Sequence, residues 1–543
     1  MPSKGTSPEL VAVQEGTPIP SHLPDLPPAA SAKRELVALA ILALAVVGVL
    51  GVLPSLATAD LNWCYPYMSP DSWDWLANGL HWSGVAIPAS YRPPGLPLVM
   101  ALLHRLQALP LLPYLNFAML GLAAVLLHRL IRLRHSALVA ALAVLLFVSN
   151  GSLFGYTRFI MAEVWTLPFL VGAAIAFARA ATEPRRYVAC AFLLSLSFLF
   201  HYAGLVVGIA FALAVLLHRR EALRTRWPAL ALFAAVPLPA VWLVLRALHN
   251  RSSTQIHTIE RLVQPSFDNL RYYAVVSAAL LGIVLLPLYL TGFVRLLPSR
   301  RGPLSPWAQA VVYPLVALSV FFTLIYHWYD KRFLYYLFPF AVAAAAEGLA
   351  LLVRFARGSR WRTVGVTLAL ALMLLWNRIP YPATTHRLLA LSPRDFVDLT
   401  DGRKPAEWVV TGSEVSPTLL ATDGFLAFGA RPGGCMRGSE HDATPALRAY
   451  LATLLAPAEP IGLASATQDP GAYWSESNRL SIALERPVVK PEETRYVVRH
   501  PATSDPRALA TFGPFELFDR QALSGAPQAP PRPKHKRHRK AAD

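Results

Sequence analysis

Apolar runs of membrane-crossing length recur between residues 35 and 379, and they leave this chain few ways to fold. A bilayer's hydrocarbon core of ~30 Å takes about 20 helical residues to cross. Lipid satisfies no backbone N–H or C=O, so each run has to close its own hydrogen bonds as a helix. The first run follows Lys33 and Arg34 and extends to Ala57, about 22 residues that read as a retained anchor rather than a cleaved signal. Further runs lie at 111–131, 136–152, 160–180, 187–201, 202–218, 227–248, 272–296, 308–328, 333–354 and 361–379. The pattern predicts a mainly α polytopic membrane bundle of about eleven spans. The two short runs that meet at His201 read either as a bent hairpin or as one re-entrant element.

Composition agrees. Hydrophobic residues make up 55% of the 543 and charged residues only 15%, where a soluble domain carries about a quarter. A net charge of +18 would suggest nucleic acid in a soluble protein. Here the arginines sit in short clusters between apolar runs, which marks them as topology signals and excludes nucleic acid as the partner. The clusters are Arg129, Arg132 and Arg134; Arg179, Arg185 and Arg186; Arg219, Arg220, Arg224 and Arg226; Arg295, Arg300 and Arg301; and Arg354, Arg357, Arg360 and Arg362. Every second connection is Arg-rich, as cytoplasmic ones are. The N-terminus is therefore expected inside a cell (inner) membrane, with the first loop, 58–110, outside it.

The domain organisation follows. Residues 1–32 read as a disordered cytoplasmic tail and 33–380 as the membrane domain. In 381–525, short apolar stretches such as EWVVTGS, RLSIAL and RYVVRH alternate with helical patterns such as PALRAYLATLLA. That mixture predicts a small α/β domain, extracytoplasmic if the span count is odd. Residues 526–543 form a basic disordered tail. Three cysteines exclude a disulfide scaffold and a Cys-rich metal site. Cys64 and Cys435 fall on the same side of the membrane, where one bridge and two free thiols are both open.

Ionisable side chains gather on the outer face. Asp71 and Asp74 lie in DSWDWLA, a pattern for an interfacial amphipathic helix, in which Asp71 also reads as a simple first-turn acid. Trp73, Trp75 and Trp82 suit headgroup-level anchoring. Arg92 follows Tyr91 and precedes Pro93-Pro94, so a stiff turn presents its guanidinium, the group best shaped for phosphate oxygens. An ordinary lipid headgroup would satisfy it equally. Glu163 sits inside an apolar boundary and needs a cation, for which Arg158 is the near candidate. It reads either as a structural ion pair or as an active-site carboxylate. Tyr329, Lys331 and Arg332 form a second cationic, aromatic patch that would bind phosphate or anchor a helix. There is no Asp-x-Asp metal motif and no Gly-rich phosphate loop. No cofactor or metal ligand set is read from the chain, and divalent-metal dependence stays open.

Asp71 with its aromatic helix, the YRPPG element before PLVMALLHRL, RFIMAE at the start of a span, and the late KRFLYYLFPF segment occur in that order. In order and topology, over roughly residues 35–380, they resemble the GT-C glycosyltransferase superfamily, in particular its protein O-mannosyltransferase and aminoarabinose-transferase branches. The resemblance implies inverting transfer of a sugar from a polyprenyl-phosphate donor to a lipid, protein or glycan acceptor on the outer face. It implies Asp71 as general base, Glu163 as a second active-site carboxylate, Arg92 as donor-phosphate contact, and Arg332, Lys331 and Tyr329 as further donor contacts. Two departures stand out. Ser72 follows Asp71 where several members carry Asp-Glu, and His201 stands where Arg is frequent. A polyprenyl-linked sugar flippase and a non-catalytic membrane scaffold are the alternatives, although no internal repeat of the transporter kind is visible.

Overall fold

The structure, a computed structural model, describes residues 70–85, 92–297, 304–377 and 439–521 with interruptions, of which 243–266 is the longest. The first apolar run, both tails, residues 378–438, Cys64 and Cys435 lie outside the described residues. Helices α1 (Pro70–Ser83) and α2 (Gly95–Arg105) precede a bundle of mostly apolar helices, the short charged α8 excepted. These are α3 (Leu112–Arg132), α4 (Ala137–Val148), α5 (Ala162–Arg179), α6 (Arg186–Phe200), α7 (Ala203–His218), α8 (Arg220–Thr225), α9 (Trp227–Ala235), α10 (Phe267–Leu296), α11 (Pro306–Val320), α12 (Leu334–Ala356) and α13 (Arg360–Asn377). A further helix, α14 (Ser439–Leu454), and five strands complete the described chain.

This is a membrane protein with a mainly helical fold. Among the described residues, four helices are long and apolar enough to cross a bilayer: Tyr114–Arg132, Ala162–Arg179, Pro306–Ile325 and Leu334–Ala356. Several other apolar runs fold as shorter helices, Ala137–Val148 among them. At 1.5 Å per residue such a helix falls short of a ~30 Å core. Hydropathy alone does not see where a run stops being helical.

The span in α12 is 89% buried, against 50% for that in α3, so α12 is the central pillar. It packs on α3, α4, α5, α10 and α11. Contact with α10 is backbone to backbone: a Cβ on Gly292 would lie 1.9 Å from the Ala344 carbonyl oxygen. Aromatic stacks fill the remaining interior, with Phe177 on Phe211 at 4.2 Å and Phe147 on Phe338 at 5.6 Å. Ser305 caps α11 by accepting the Ala308 N–H at 3.2 Å, with Pro306 at the first helical position.

The Arg-rich connections do structural work beyond marking topology. Arg219 donates to the Phe177 carbonyl at 3.1 Å, and Arg226 to those of Ala180 and Ala181 at 3.2 and 2.9 Å. Both thus satisfy the orphan carbonyls and the negative dipole end of α5. At the same end of the bundle Arg134 pairs with the buried Glu347 of α12, with His135 and Arg295 at 3.6 and 4.0 Å. Glu347 lies 13 positions after Leu334, a rise of about 20 Å along α12.

The junction at His201 is a helix hairpin. His201 takes φ −157° and ψ 146°, ending α6, and α7 starts at Ala203. The two helices pack on each other.

The C-terminal unit is a mixed five-stranded sheet: β1 (Ile461–Ser465), β2 (Val488–Val489), β3 (Tyr496–His500), β4 (Ala510–Phe512) and β5 (Phe515–Asp519). Their order is β2-β1-β3-β5-β4. β1 runs parallel to β2 and β3, and β5 antiparallel to β3 and β4. RYVVRH is the central strand β3 and PALRAYLATLLA lies mostly in α14, as the pattern suggested. RLSIAL is different: Leu480, Ser481, Ala483 and Leu484 are helical, and EWVVTGS lies outside the described residues. Leu480, Ala483 and Leu484 are buried at i, i+3 and i+4, a helical stripe that a count of apolar residues does not separate from a strand.

Candidate active site

At the end of the bundle opposite Glu347, five elements meet: α1, the turn before α2, the start of α5, the α6–α7 hairpin and the start of α12. Each brings a polar side chain. Asp74 lies on α1, its side chain 2% exposed and ion-paired with the Nε of Arg92. Arg92 is 8% exposed and stacks its guanidinium over the Trp75 ring at 5.1 Å. Trp75, suited by sequence to headgroup anchoring, is instead buried beneath that cation. Asn78, one turn on, donates to the Asp74 backbone carbonyl at 2.7 Å and to its carboxylate at 3.5 Å. Two buried charges are thereby paired and partly hydrogen-bonded, the condition under which burial is tolerable.

Glu163 opens α5 and is 5% exposed at its side chain. Its cation is Arg332, with Nε 3.7 Å from Oε1. Arg158, the near candidate by sequence, lies outside the described residues, as do Tyr91 and Tyr329. The turn Lys331–Phe333 leads into α12 and holds Arg332 with its guanidinium 5.3 Å from the Phe333 ring. Asp71 and Lys331 are described by backbone alone, Asp71 in the first turn of α1 and Lys331 at the head of that turn. Asp71 precedes Asp74 by three residues, so the two share one face of the helix, about 4.5 Å apart along its axis.

His201 ties the two ion pairs together. Its ring stacks on Tyr336 of α12 at 4.5 Å and approaches Phe333 at 6.2 Å. The charges of both Arg332 and Arg92 act on it. Proximity on the Arg92 side is built by Gly95, where a Cβ would lie 2.6 Å from the Leu199 carbonyl oxygen. Only glycine lets the head of α2 approach the end of α6 this closely. On the other side Trp165 stacks on Phe200 at 5.7 Å and donates its Nε1–H to Asn116 at 2.7 Å.

The arrangement therefore offers two guanidiniums, each with a carboxylate beside it, around an imidazole at one end of an apolar bundle. Guanidinium is suited to phosphate oxygens, and a nearby carboxylate can accept a proton. Among the described residues no group of His, Cys, Asp and Glu side chains is arranged to hold a metal ion. Asn78, Tyr336 and Trp165 were not singled out from the sequence. For Asn78 a signal existed in its i, i+4 spacing from Asp74.

No protein-family profile and no curated protein matches the sequence. Solved structures do match. The chain is similar to ArnT, an aminoarabinose transferase from Cupriavidus metallidurans, bound to undecaprenyl phosphate, with TM-score 0.53 and 16% identity over 89% of this chain and 100% of that one. Against the same protein in its apo state the TM-score is 0.51 at 16% identity, over 92% and 100%. An oligosaccharyltransferase of Archaeoglobus fulgidus, tethered to an acceptor peptide, gives 0.49 at 14% identity over 84% and 64%. The fold of this chain is like that of ArnT, in keeping with the resemblance drawn from the ordered motifs.

Proposed function

We propose that this protein is a membrane glycosyltransferase that moves a sugar from a polyprenyl-phosphate carrier to an acceptor hydroxyl on the outer face, with inversion. The observation that carries the reading is that Arg92 and Arg332, each with a buried carboxylate beside it, lie at the same end of the bundle as His201. The ArnT structure of similar fold holds undecaprenyl phosphate, a carrier lipid of the class proposed here.

The chemistry suits the residues. The anomeric carbon–oxygen bond to phosphate breaks and its electron pair leaves with the phosphate. A bond to the acceptor oxygen forms on the opposite face, and the acceptor proton passes to a carboxylate. Phosphate has a last pKa of ~6, so it departs without protonation and no general acid is needed. One base and cations for the developing charge suffice. Asp74 is committed to Arg92 and Asn78, which makes it the positioning group. Asp71, one turn earlier on the same face, is the base. Glu163 positions Arg332, and Arg92 and Arg332 hold the carrier phosphate, with Lys331 beside them. The acceptor is a lipid, protein or glycan.

The test is transfer by purified protein from a labelled polyprenyl-phosphate sugar. Asp71→Asn is expected to lose roughly two or more orders of magnitude in rate while still inserting and binding carrier. Normal transfer by that variant removes Asp71 from the role. Movement of the carrier across the bilayer without bond cleavage would instead identify a flippase.

A further inference from the structure

The imidazole of His201, at the α6–α7 junction, has a role fixed by its own hydrogen bonding, and the inference rests on the carrier-phosphate reading above. His201 Nδ1 accepts the backbone N–H of Ala203 at 3.2 Å. That bond closes the hairpin between α6 and α7 and requires Nδ1 to be unprotonated, so the ring proton resides on Nε2. Stacking on Tyr336 at 4.5 Å holds the ring plane. Among the described residues Nε2 makes no hydrogen bond, and the residue is half-buried rather than sealed off. Both guanidinium charges act on this ring, so a second ring proton would add a third cation among them. The ring thus presents one neutral N–H at the end of the bundle that holds both charge pairs.

We propose that His201 is the neutral hydrogen-bond donor of the phosphate site, its Nε2–H meeting a phosphate oxygen of the carrier between Arg92 and Arg332. The chemistry explains the use of such a donor. The sugar-loaded carrier is a phosphodiester with one negative charge, and the departing monoester gains a second, in part, near neutral pH. A directed N–H strengthens as that oxygen gains charge, so it favours the transition state over the loaded ground state.

Binding of undecaprenyl phosphate to the purified full chain in detergent tests this, using His201→Phe and His201→Gln. Phe keeps the stack on Tyr336 and removes the donor; Gln places an amide N–H close to where Nε2 lies. His201→Phe is expected to weaken binding roughly ten- to hundredfold, the worth of a hydrogen bond to a charged group; both variants lose the Nδ1 acceptor of the Ala203 N–H, so their thermal unfolding should shift alike and the difference in binding between them reads the donor. Gln should restore most of the loss. Equal binding by wild type and His201→Phe overturns the donor role while leaving the carrier reading intact. Absence of binding by the wild type overturns the carrier reading and this inference together. An independent check is the 15N spectrum of the histidine ring near pH 7, assigned against the Gln variant. A neutral Nε2–H tautomer is expected; a doubly protonated ring or an Nδ1–H tautomer overturns the proposal.

Discussion

Asp74 and Arg92 together illustrate what a buried charge demands of its surroundings. With Arg92 8% exposed, removing its acid strands a cation away from water. Asp74→Asn is expected to destabilise by about 3–5 kcal/mol, and Asp74→Asn with Arg92→Met by clearly less than the sum of the two single changes. Thermal unfolding of the four proteins in detergent measures this, and additive losses would show that the pair is not coupled. At this scale the sequence revealed which residues mattered better than which residues met. Arg92 was legible because two prolines follow it, and Glu163 because an acid inside an apolar boundary has to be compensated. Their partners were not. Glu163 is answered by Arg332, far along the chain, because α5 and α12 pack side by side. Arg158, the near candidate by sequence, lies outside the described residues. His201 was legible as an ionisable group at a junction, but its tautomer depends on an N–H two residues on, which becomes available only once the hairpin forms.

Elements place the site through backbone contact. Gly95 lets α2 touch the end of α6, which sets Arg92 within the electrostatic reach of His201. Gly121, in the middle of α3, has nothing within 4 Å of its would-be Cβ. The two glycines should therefore respond oppositely to alanine. Gly95→Ala is expected to cost ~1–3 kcal/mol by overpacking and to weaken undecaprenyl phosphate binding by shifting Arg92. Gly121→Ala is expected to be neutral or to stabilise by up to about 1 kcal/mol, the helix-propensity difference. Equal effects at the two positions would contradict the close-approach account. Helical identity was legible at this scale wherever apolar residues ran long, and β3 and α14 were legible from their periods. RLSIAL misleads because its apolar residues fit a helical stripe as well as an alternating strand, and only the packed core decides.

For the molecule as a whole, hydropathy described a membrane bundle and the order of motifs described its fold, and the similarity to ArnT agrees with both. The expected eleven spans are not tested as a count, because the first run and part of 227–248 lie outside the described residues. A run of apolar residues reports cost in water, whereas the length of a helix depends on where neighbours interrupt it, as at the end of α4 and at His201. The division of labour between the two ends was only half legible. Arg-rich connections read as topology signals, and the structure adds that Arg219 and Arg226 cap α5 while Arg134 holds Glu347. At the opposite end lie the two Arg–carboxylate pairs proposed to hold the ligand. The central claim is that the phosphate of a carrier lipid occupies the space between Arg92 and Arg332. An experimental structure of the protein with bound undecaprenyl phosphate tests it most directly. The account predicts phosphate oxygens within hydrogen-bonding reach of both guanidiniums and of His201 Nε2, with the prenyl chain running along the apolar bundle. A phosphate seated elsewhere, out of reach of both guanidiniums, would contradict it.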